Sequence, residues 1–324
     1  MLLSKGFEVE MYTGTPAGEV VGLSDRIVAD LDGFVREPDS RNVEYTTPPL
    51  CRYEKLLCEL VRPRHELRRY LNRLGDYTLI PGSTLAWADG SVLSLRSKQS
   101  LPHLYRADLW HSVVTASIHI NIGIADPEVL MRACRLVRVE APLYLALTAS
   151  SPFLNGVATG YHSSRWQMFP KTPADVPLFE SHHHHMRWTE AQLAAGAMQN
   201  VRHLWSAVRP NGDRRPYNLN RLELRICDLI SDPVGLLAVT ALLEARIMQL
   251  ILDPDLDPLI LSQLPIATRN QDLVHLSDAN EMAVAKHSLE AELRHWQDGR
   301  PILAKEWIQQ LYDQVWPIVQ RERH

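Results

Sequence analysis

Apolar and polar positions alternate strictly in several short stretches and recur at helical spacing in longer ones, so strands and helices are interleaved along the chain. Residues 6–12 alternate and lead into Gly14-Thr15-Pro16-Ala17-Gly18, which predicts a strand and its exit turn. Residues 41–45, 77–80, 113–124 and 220–228 are further predicted strands, with 113–124 the clearest. Leucines 56, 57, 60, 67 and 71 predict a helix over about 49–74, which Pro63 is expected to kink or split. Asp126-Pro127-Glu128 opens a predicted helix reaching about Leu147, and Asp232-Pro233 opens another reaching Leu252. Amphipathic spacing predicts helices over 188–208, about 278–296 and 302–320. Residues 150–165 and 171–186 read as loops, the second carrying His182-His183-His184-His185. There is no internal repeat, and the expectation is one mixed α+β domain over residues 1–324.

Composition narrows the function. The 324 residues are 45% hydrophobic and 22% charged, with a net charge of −4, so nucleic acid and anionic membrane are not expected as main partners. Four cysteines without a CxxC pair make neither a disulfide framework nor a zinc site and fit a reducing, cytoplasmic setting. The apolar run 234–252 is interrupted by Glu244 and Arg246, which makes it a buried helix rather than a membrane span.

Three predicted strands carry chemistry on one face, because strand side chains alternate. Glu8 and Glu10 share a face of 6–12, His119 and Asn121 a face of 118–122, and Glu223 and Arg225 a face of 222–226. Glu44 adds a carboxylate from 43–45. The opposite faces are strongly apolar, so these strands are expected at the centre of an antiparallel sheet. Gathered carboxylates repel unless a cation lies between them, and hard oxygen donors suit Mg²⁺ together with substrate phosphates. Arg225 would face the same phosphates with its two-pronged guanidinium. No GxxxxGK[ST] or GxGxxG motif is present, so metals and arginine must hold the nucleotide instead. A wet sheet face is the bland alternative. By the same standard, His119 can be a core histidine and Arg165 a surface arginine.

Several motifs occur together in order: Gly6-Phe7-Glu8-Val9-Glu10, His119-Ile120-Asn121-Ile122-Gly123, Ser150-Ser151-Pro152-Phe153-Leu154-Asn155-Gly156, Thr159-Gly160-Tyr161 with Arg165, and Glu223-Leu224-Arg225-Ile226-Cys227-Asp228. The combination resembles the glutamate–cysteine ligase family over nearly the whole chain. It looks closest to the cyanobacterial type, a relative of the plant enzymes and of bacterial carboxylate–amine ligases. The resemblance implies a glutamine synthetase-like catalytic fold, an antiparallel sheet forming a funnel with helices packed outside. It also implies an ATP- and Mg²⁺-dependent reaction in which the glutamate γ-carboxylate becomes an acyl phosphate and the cysteine amine displaces phosphate. On that resemblance Glu8, Glu10, Glu44 and Glu223 are metal ligands, with His119 an additional ligand or phosphate contact. Arg225, with Glu223, then acts at the phosphoryl group, Arg165 grips the glutamate α-carboxylate, and Ser150 and Ser151 offer donors to substrate. A carboxylate–amine ligase using another amine, or a catalytically impaired nucleotide-binding relative, stands as the alternative.

Between about Ala86 and His111 the chain departs from the family pattern. A segment of the kind Asn-Pro-Tyr-His-x-Tyr-Ile is expected there, whereas the chain reads Gln99-Ser100-Leu101-Pro102-His103-Leu104-Tyr105. Codons for these residues, read one nucleotide later, restore such a segment, which suggests compensating frameshifts bracketing 86–111. Reading the source DNA for an intact alternative frame tests this.

Overall fold

The computed structural model describes residues 2–37, 39–85 and 115–321. The frameshift expectation for residues 86–111 lies wholly outside the described residues. In chain order the elements are β1 (Lys5–Gly14), α1 (Ser24–Asp30), β2 (Phe34–Arg36), β3 (Asn42–Thr46), α2 (Tyr53–Leu74), β4 (Thr78–Ile80), β5 (Ile118–Gly123) and α3 (Pro127–Thr148). Then follow β6 (Phe153–Leu154), β7 (Val157–Ala158), α4 (Ser164–Gln167), α5 (His182–Ala194), β8 (Val208–Asn211), β9 (Arg221–Leu224), α6 (Pro233–Leu252) and α7 (Pro258–Leu261). The chain closes with α8 (Arg269–His287), β10 (Glu292–Arg294), β11 (Pro301–Leu303) and α9 (Ala304–Arg321).

The fold is α+β. Its main sheet runs β2-β3-β1-β5-β9-β8, with β4 on the distal end of β1, and every described pairing is antiparallel. Alternation sorts the strands into two faces. Phe7, Val9, Val43, Tyr45, Ile118, Ile120, Ile122, Leu222 and Leu224 are buried in the main core. Helix α3 packs behind β8 and β9, and α8 packs against α3, so helices cover the apolar side of this part of the sheet. Each fully buried aliphatic side chain on that face contributes roughly 1.5–3 kcal/mol.

Helix α6 shows why an apolar run is not by itself a membrane span. An 18-residue window of α6 has a mean hydropathy of 1.7, yet half of that window is buried. Its two charges are both neutralised in the interior. Glu244 receives two bonds from Lys5 Nζ at 2.8 and 2.9 Å and one from the Tyr53 hydroxyl at 2.5 Å. Arg246 pairs with Glu140 of α3 through Nε at 2.9 Å and through Nη2.

Several element boundaries differ from the sequence expectation. Pro63 neither ends nor splits α2, because Leu56, Leu60, Leu67 and Leu71 are all buried and hold the helix across the lost hydrogen bond. The Leu60 carbonyl, beside Pro63, accepts from the Tyr45 hydroxyl at 3.0 Å. The four histidines are not a loop but the first turn of α5, capped by the Ser181 side chain. That helix ends at Ala194, followed by Gly196 with φ +72°, so the expected helix over 188–208 is cut short and its last residue begins β8. The predicted helix 278–296 is displaced to Arg269–His287, and a hairpin of β10 and β11 follows it.

Candidate active site on the polar sheet face

Register carries the chemistry-bearing residues across the sheet in a row. Glu44 pairs with Glu10, Glu8 with His119, Asn121 with Glu223, and Glu223 with Arg209. Directly paired residues point to the same face, as do residues two apart. The row therefore runs from Glu44 through Glu10, Glu8, His119 and Asn121 to Glu223, Arg225 and Arg209. The sheet brings Glu8, Glu10, Glu44, Glu223 and His119 to one face, with Arg225 beside them.

The acidic end contains a residue the sequence reading missed. One carboxylate oxygen from each of Glu10, Glu37 and Glu44 lies within 4.8 Å of the others. Glu37 follows β2 and is two residues beyond Val35, which pairs with Glu44, so alternation places it on the same face. Burial, followed by the Glu10 charge, pushes the Glu37 carboxyl up to about 8, against a hydrogen bond with Glu44 that lowers it. Burial and the charges of Glu37, Glu8 and Glu10 raise the Glu44 carboxyl well above the usual range. Three carboxylates so close ionise together only around a cation, and an all-oxygen donor set fits Mg²⁺.

In the middle of the row, Glu8, His119, Ser117 and Glu10 form a continuous hydrogen-bonded chain. His119 Nδ1 is 2.8 Å from Glu8 Oε2, and its Nε2 is 3.2 Å from Ser117 Oγ. Ser117 donates to Glu10 Oε2 from both its backbone N–H and its hydroxyl, each at 2.8 Å. Burial and the Glu223 charge act to raise the Glu8 carboxyl, but His119 and Arg225 outweigh them and leave it below the ordinary range.

The arginine end is different in kind. Glu223 is fully buried and accepts from Arg209 Nε at 2.7 Å, Arg209 Nη2 at 3.0 Å, Asn211 Nδ2 at 2.6 Å and Arg225 Nη1. Burial alone would raise its carboxyl; the charges of Arg209, Arg225 and His119 instead hold it well below the usual range. A carboxylate offers about four acceptor sites, and these four bonds take them. Glu223 also has an oxygen within 4.8 Å of donor atoms of Glu8 and His119, so it can join a metal there only as Arg225 releases it. Arg209 was hidden from the sequence reading because residues 188–208 read as one helix.

Arg165, Ser150 and Ser151 bond to the segment that follows β9. Arg165 is only 2% exposed and donates to the carbonyls of Ile226 and Arg225, each at 3.0 Å. Ser151 donates to buried Asp228 through its hydroxyl at 2.7 Å, Ser150 through its backbone N–H at 2.9 Å, and Ser163 through its hydroxyl at 2.9 Å. The Ser150 hydroxyl donates to the Leu229 carbonyl at 3.1 Å. In this arrangement the three residues brace the 150–165 loop to the end of β9. Arg165 Nε is buried with no hydrogen-bond partner among the described residues, so one donor of that guanidinium stays open.

Comparison with known proteins identifies the family and the fold. Residues 4–322 match the glutamate–cysteine ligase family 2 (GCS2) sequence profile. A protein of Sorangium cellulosum (strain So ce56), provisionally named glutamate–cysteine ligase 2, is 29% identical over 220 residues, which is 66% of this chain and 57% of that protein. The chain thus spans little more than half of that relative's length. Among solved structures, a bifunctional glutathione synthetase from Pasteurella multocida superposes with a TM-score of 0.70 at 15% identity, over 97% of this chain and 46% of the other. A glutamate–cysteine ligase from Francisella tularensis in complex with AMP gives 0.68 at 15% identity, over 97% and 78%. At such identities these structures establish the fold.

Proposed function

The chain belongs to glutamate–cysteine ligase family 2, and from that membership we propose that it is an ATP- and Mg²⁺-dependent carboxylate–amine ligase acting through one catalytic domain, residues 1–324. Within that class the proposed acid is glutamate, through its γ-carboxylate, and the proposed amine is that of cysteine. The product is then γ-glutamylcysteine, the first step of glutathione synthesis, as in the cyanobacterial-type enzymes the motifs resemble. The observation that carries the reading is the single row of carboxylates and arginines across one sheet face.

A carboxylate and an amine do not condense at neutral pH without activation. In the proposed reaction a carboxylate oxygen bonds to the γ-phosphorus as the bond to the β–γ bridging oxygen breaks, and the electron pair leaves on ADP. The amine nitrogen then attacks the acyl carbon, phosphate departs with the C–O electron pair, and the nitrogen loses a proton. Bound Mg²⁺ would shield the phosphate charge and polarise the transferred group. Glu10, Glu37 and Glu44, with Glu8 and His119, are the residues that would hold it. Arg225 neutralises charge on the transferred phosphoryl, and Glu223 aims Arg225 while Arg209 and Asn211 hold Glu223.

ADP release measured with glutamate, with and without cysteine, at fixed Mg²⁺ tests the reading. Turnover that depends on both substrates and disappears in Glu8→Ala is expected. Wild-type activity in Glu8→Ala would refute the assignment of this face. Release that needs another amine assigns a different acceptor in the same class, and calorimetric ATP binding without turnover on any acid–amine pair points to a nucleotide-binding relative.

A further inference from the structure

The arginine end of the row carries two buried N–H groups with no hydrogen-bond partner among the described residues, Arg225 Nε and Arg215 Nη1. Burying an N–H without an acceptor costs about 1–3 kcal/mol, so two together at one locus point to an absent acceptor. Arg215 lies in the loop joining β8 to β9. Burial, reinforced by the charges of Arg209, Arg202 and Arg225, pushes its guanidinium down to about 10, with Glu223 the attracting charge. Arg209 is not available to a ligand in the same way. Besides Glu223 it binds the carbonyls of Arg202 and Leu204, each at 3.1 Å.

The loop that carries Arg215 is pinned from both sides. Its own turn is closed by Tyr217 N–H and Asn218 N–H donating to the Arg214 carbonyl, both at 2.9 Å. Helix α5 holds the outer side. The Pro216 carbonyl lies 2.8 Å from His182 Nε2, and the Tyr217 hydroxyl donates to Glu190 at 2.8 Å. One member of the four-histidine run thus fixes the residue next to Arg215.

We propose that Arg215 is a second phosphoryl-contacting residue, which with Arg225 grips the terminal phosphate of the nucleotide. The proposal rests on the ATP-dependent reading above and adds a residue to it. The number of donors selects the ligand. Glu223 attracts Arg209, Arg215 and Arg225, and Glu8 attracts Arg209 and Arg225 as well, yet Arg225 Nε and Arg215 Nη1 have no acceptor among the described residues. A terminal phosphoryl group supplies negative charge and several acceptor oxygens, enough for two guanidinium groups at once. Charge that spreads over the phosphoryl oxygens during transfer falls between two guanidinium groups already held in place, so little reorganisation is needed.

The test compares Mg²⁺-dependent binding of ADP and of β,γ-methylene-ATP by calorimetry in the wild type, Arg215→Met and Arg215→Lys, alongside ADP release. In Arg215→Met, binding of β,γ-methylene-ATP is expected to weaken about tenfold and ADP binding to stay unchanged, while ADP release slows roughly a hundredfold. Arg215→Lys, which keeps the charge and loses the fork, is expected to show a smaller loss confined to the same nucleotide. It also carries the test if circular dichroism shows that Arg215→Met does not fold. Equal weakening of both nucleotides, or none, overturns the inference while the ligase reading stands. A wild type that binds neither nucleotide overturns the ligase reading and this inference with it.

Discussion

The two ends of one sheet face solve the same electrostatic problem in opposite ways. At the Glu223 end each negative charge is matched inside the protein: four donors from Arg209, Arg225 and Asn211 hold a fully buried carboxylate ionised. At the Glu44 end, Glu10, Glu37 and Glu44 face one another, and the Glu37 and Glu44 carboxyls retain protons above their normal range. At the first end the carboxylate is complete as folded, while Arg225 Nε and Arg215 Nη1 beside it have no acceptor among the described residues. The second is complete only with a cation from outside. Binding chemistry belongs to the acidic end and to Arg225 Nε and Arg215 Nη1, whereas the saturated Glu223 carboxylate anchors Arg225 and Arg209.

The comparison breaks most severely at Glu223. Glu223→Ala leaves two buried arginines without a counter-charge and is expected to cost about 3–5 kcal/mol of stability along with activity. Chemical denaturation checks this, and an unchanged midpoint would mean the pair is not as buried as described. Glu8→Ala, at a half-buried position, is expected to remove turnover with a much smaller stability loss, so the two variants separate anchoring from binding.

Arg165→Met ranks next, at roughly 2–4 kcal/mol, because Asp228 loses its nearest cation and two carbonyls lose their donors. Its kinetic signature discriminates two roles. A brace for the Arg225 backbone predicts a fall in kcat with little change in the glutamate KM. A glutamate clamp predicts the reverse.

The acidic end predicts a pH dependence. The Glu37 carboxyl, near 8 in the fold and about 4.3 in an unfolded chain, holds its proton more tightly when folded. Its contribution to stability is therefore full below about pH 4 and is lost as pH rises through about 8. Thermal midpoints without divalent metal should fall over that window, and Glu37→Gln should flatten the slope. A wild-type midpoint that rises over the same window would contradict the carboxylate clustering. The smallest effect is expected for His182→Ala, about 1 kcal/mol from one loop contact, with ADP release slowed while ADP binding is unchanged.

Much of this site was legible because strand alternation is a two-residue rule: Glu8, Glu10, Glu44, His119, Glu223 and Arg225 could be assigned to faces before any coordinates. What alternation cannot supply is which strands are neighbours, and hence that Glu44 sits opposite Glu10. Glu37 escaped because Phe34–Arg36 is a three-residue strand, too short to show a period. Arg209 escaped because apolar residues on both sides of Gly196 continued a helical pattern that the glycine's positive φ breaks. Arg165 was readable as a residue of the site's loop but not as a buried one, since burial of a guanidinium depends on Asp228 and two carbonyls some 60 residues away. Pro63 misled for the complementary reason, as tertiary packing outweighed a local penalty of about 3 kcal/mol.

Direct titration of Mn²⁺, followed by its electron paramagnetic resonance signal and competed with Mg²⁺, tests the claim that the acidic end is completed by a divalent cation. Saturable uptake that is displaced by Mg²⁺ and lost when Glu10 and Glu44 are both changed to Gln is the predicted result. Uptake that is absent from the wild type, or unchanged in the double variant, would contradict the account.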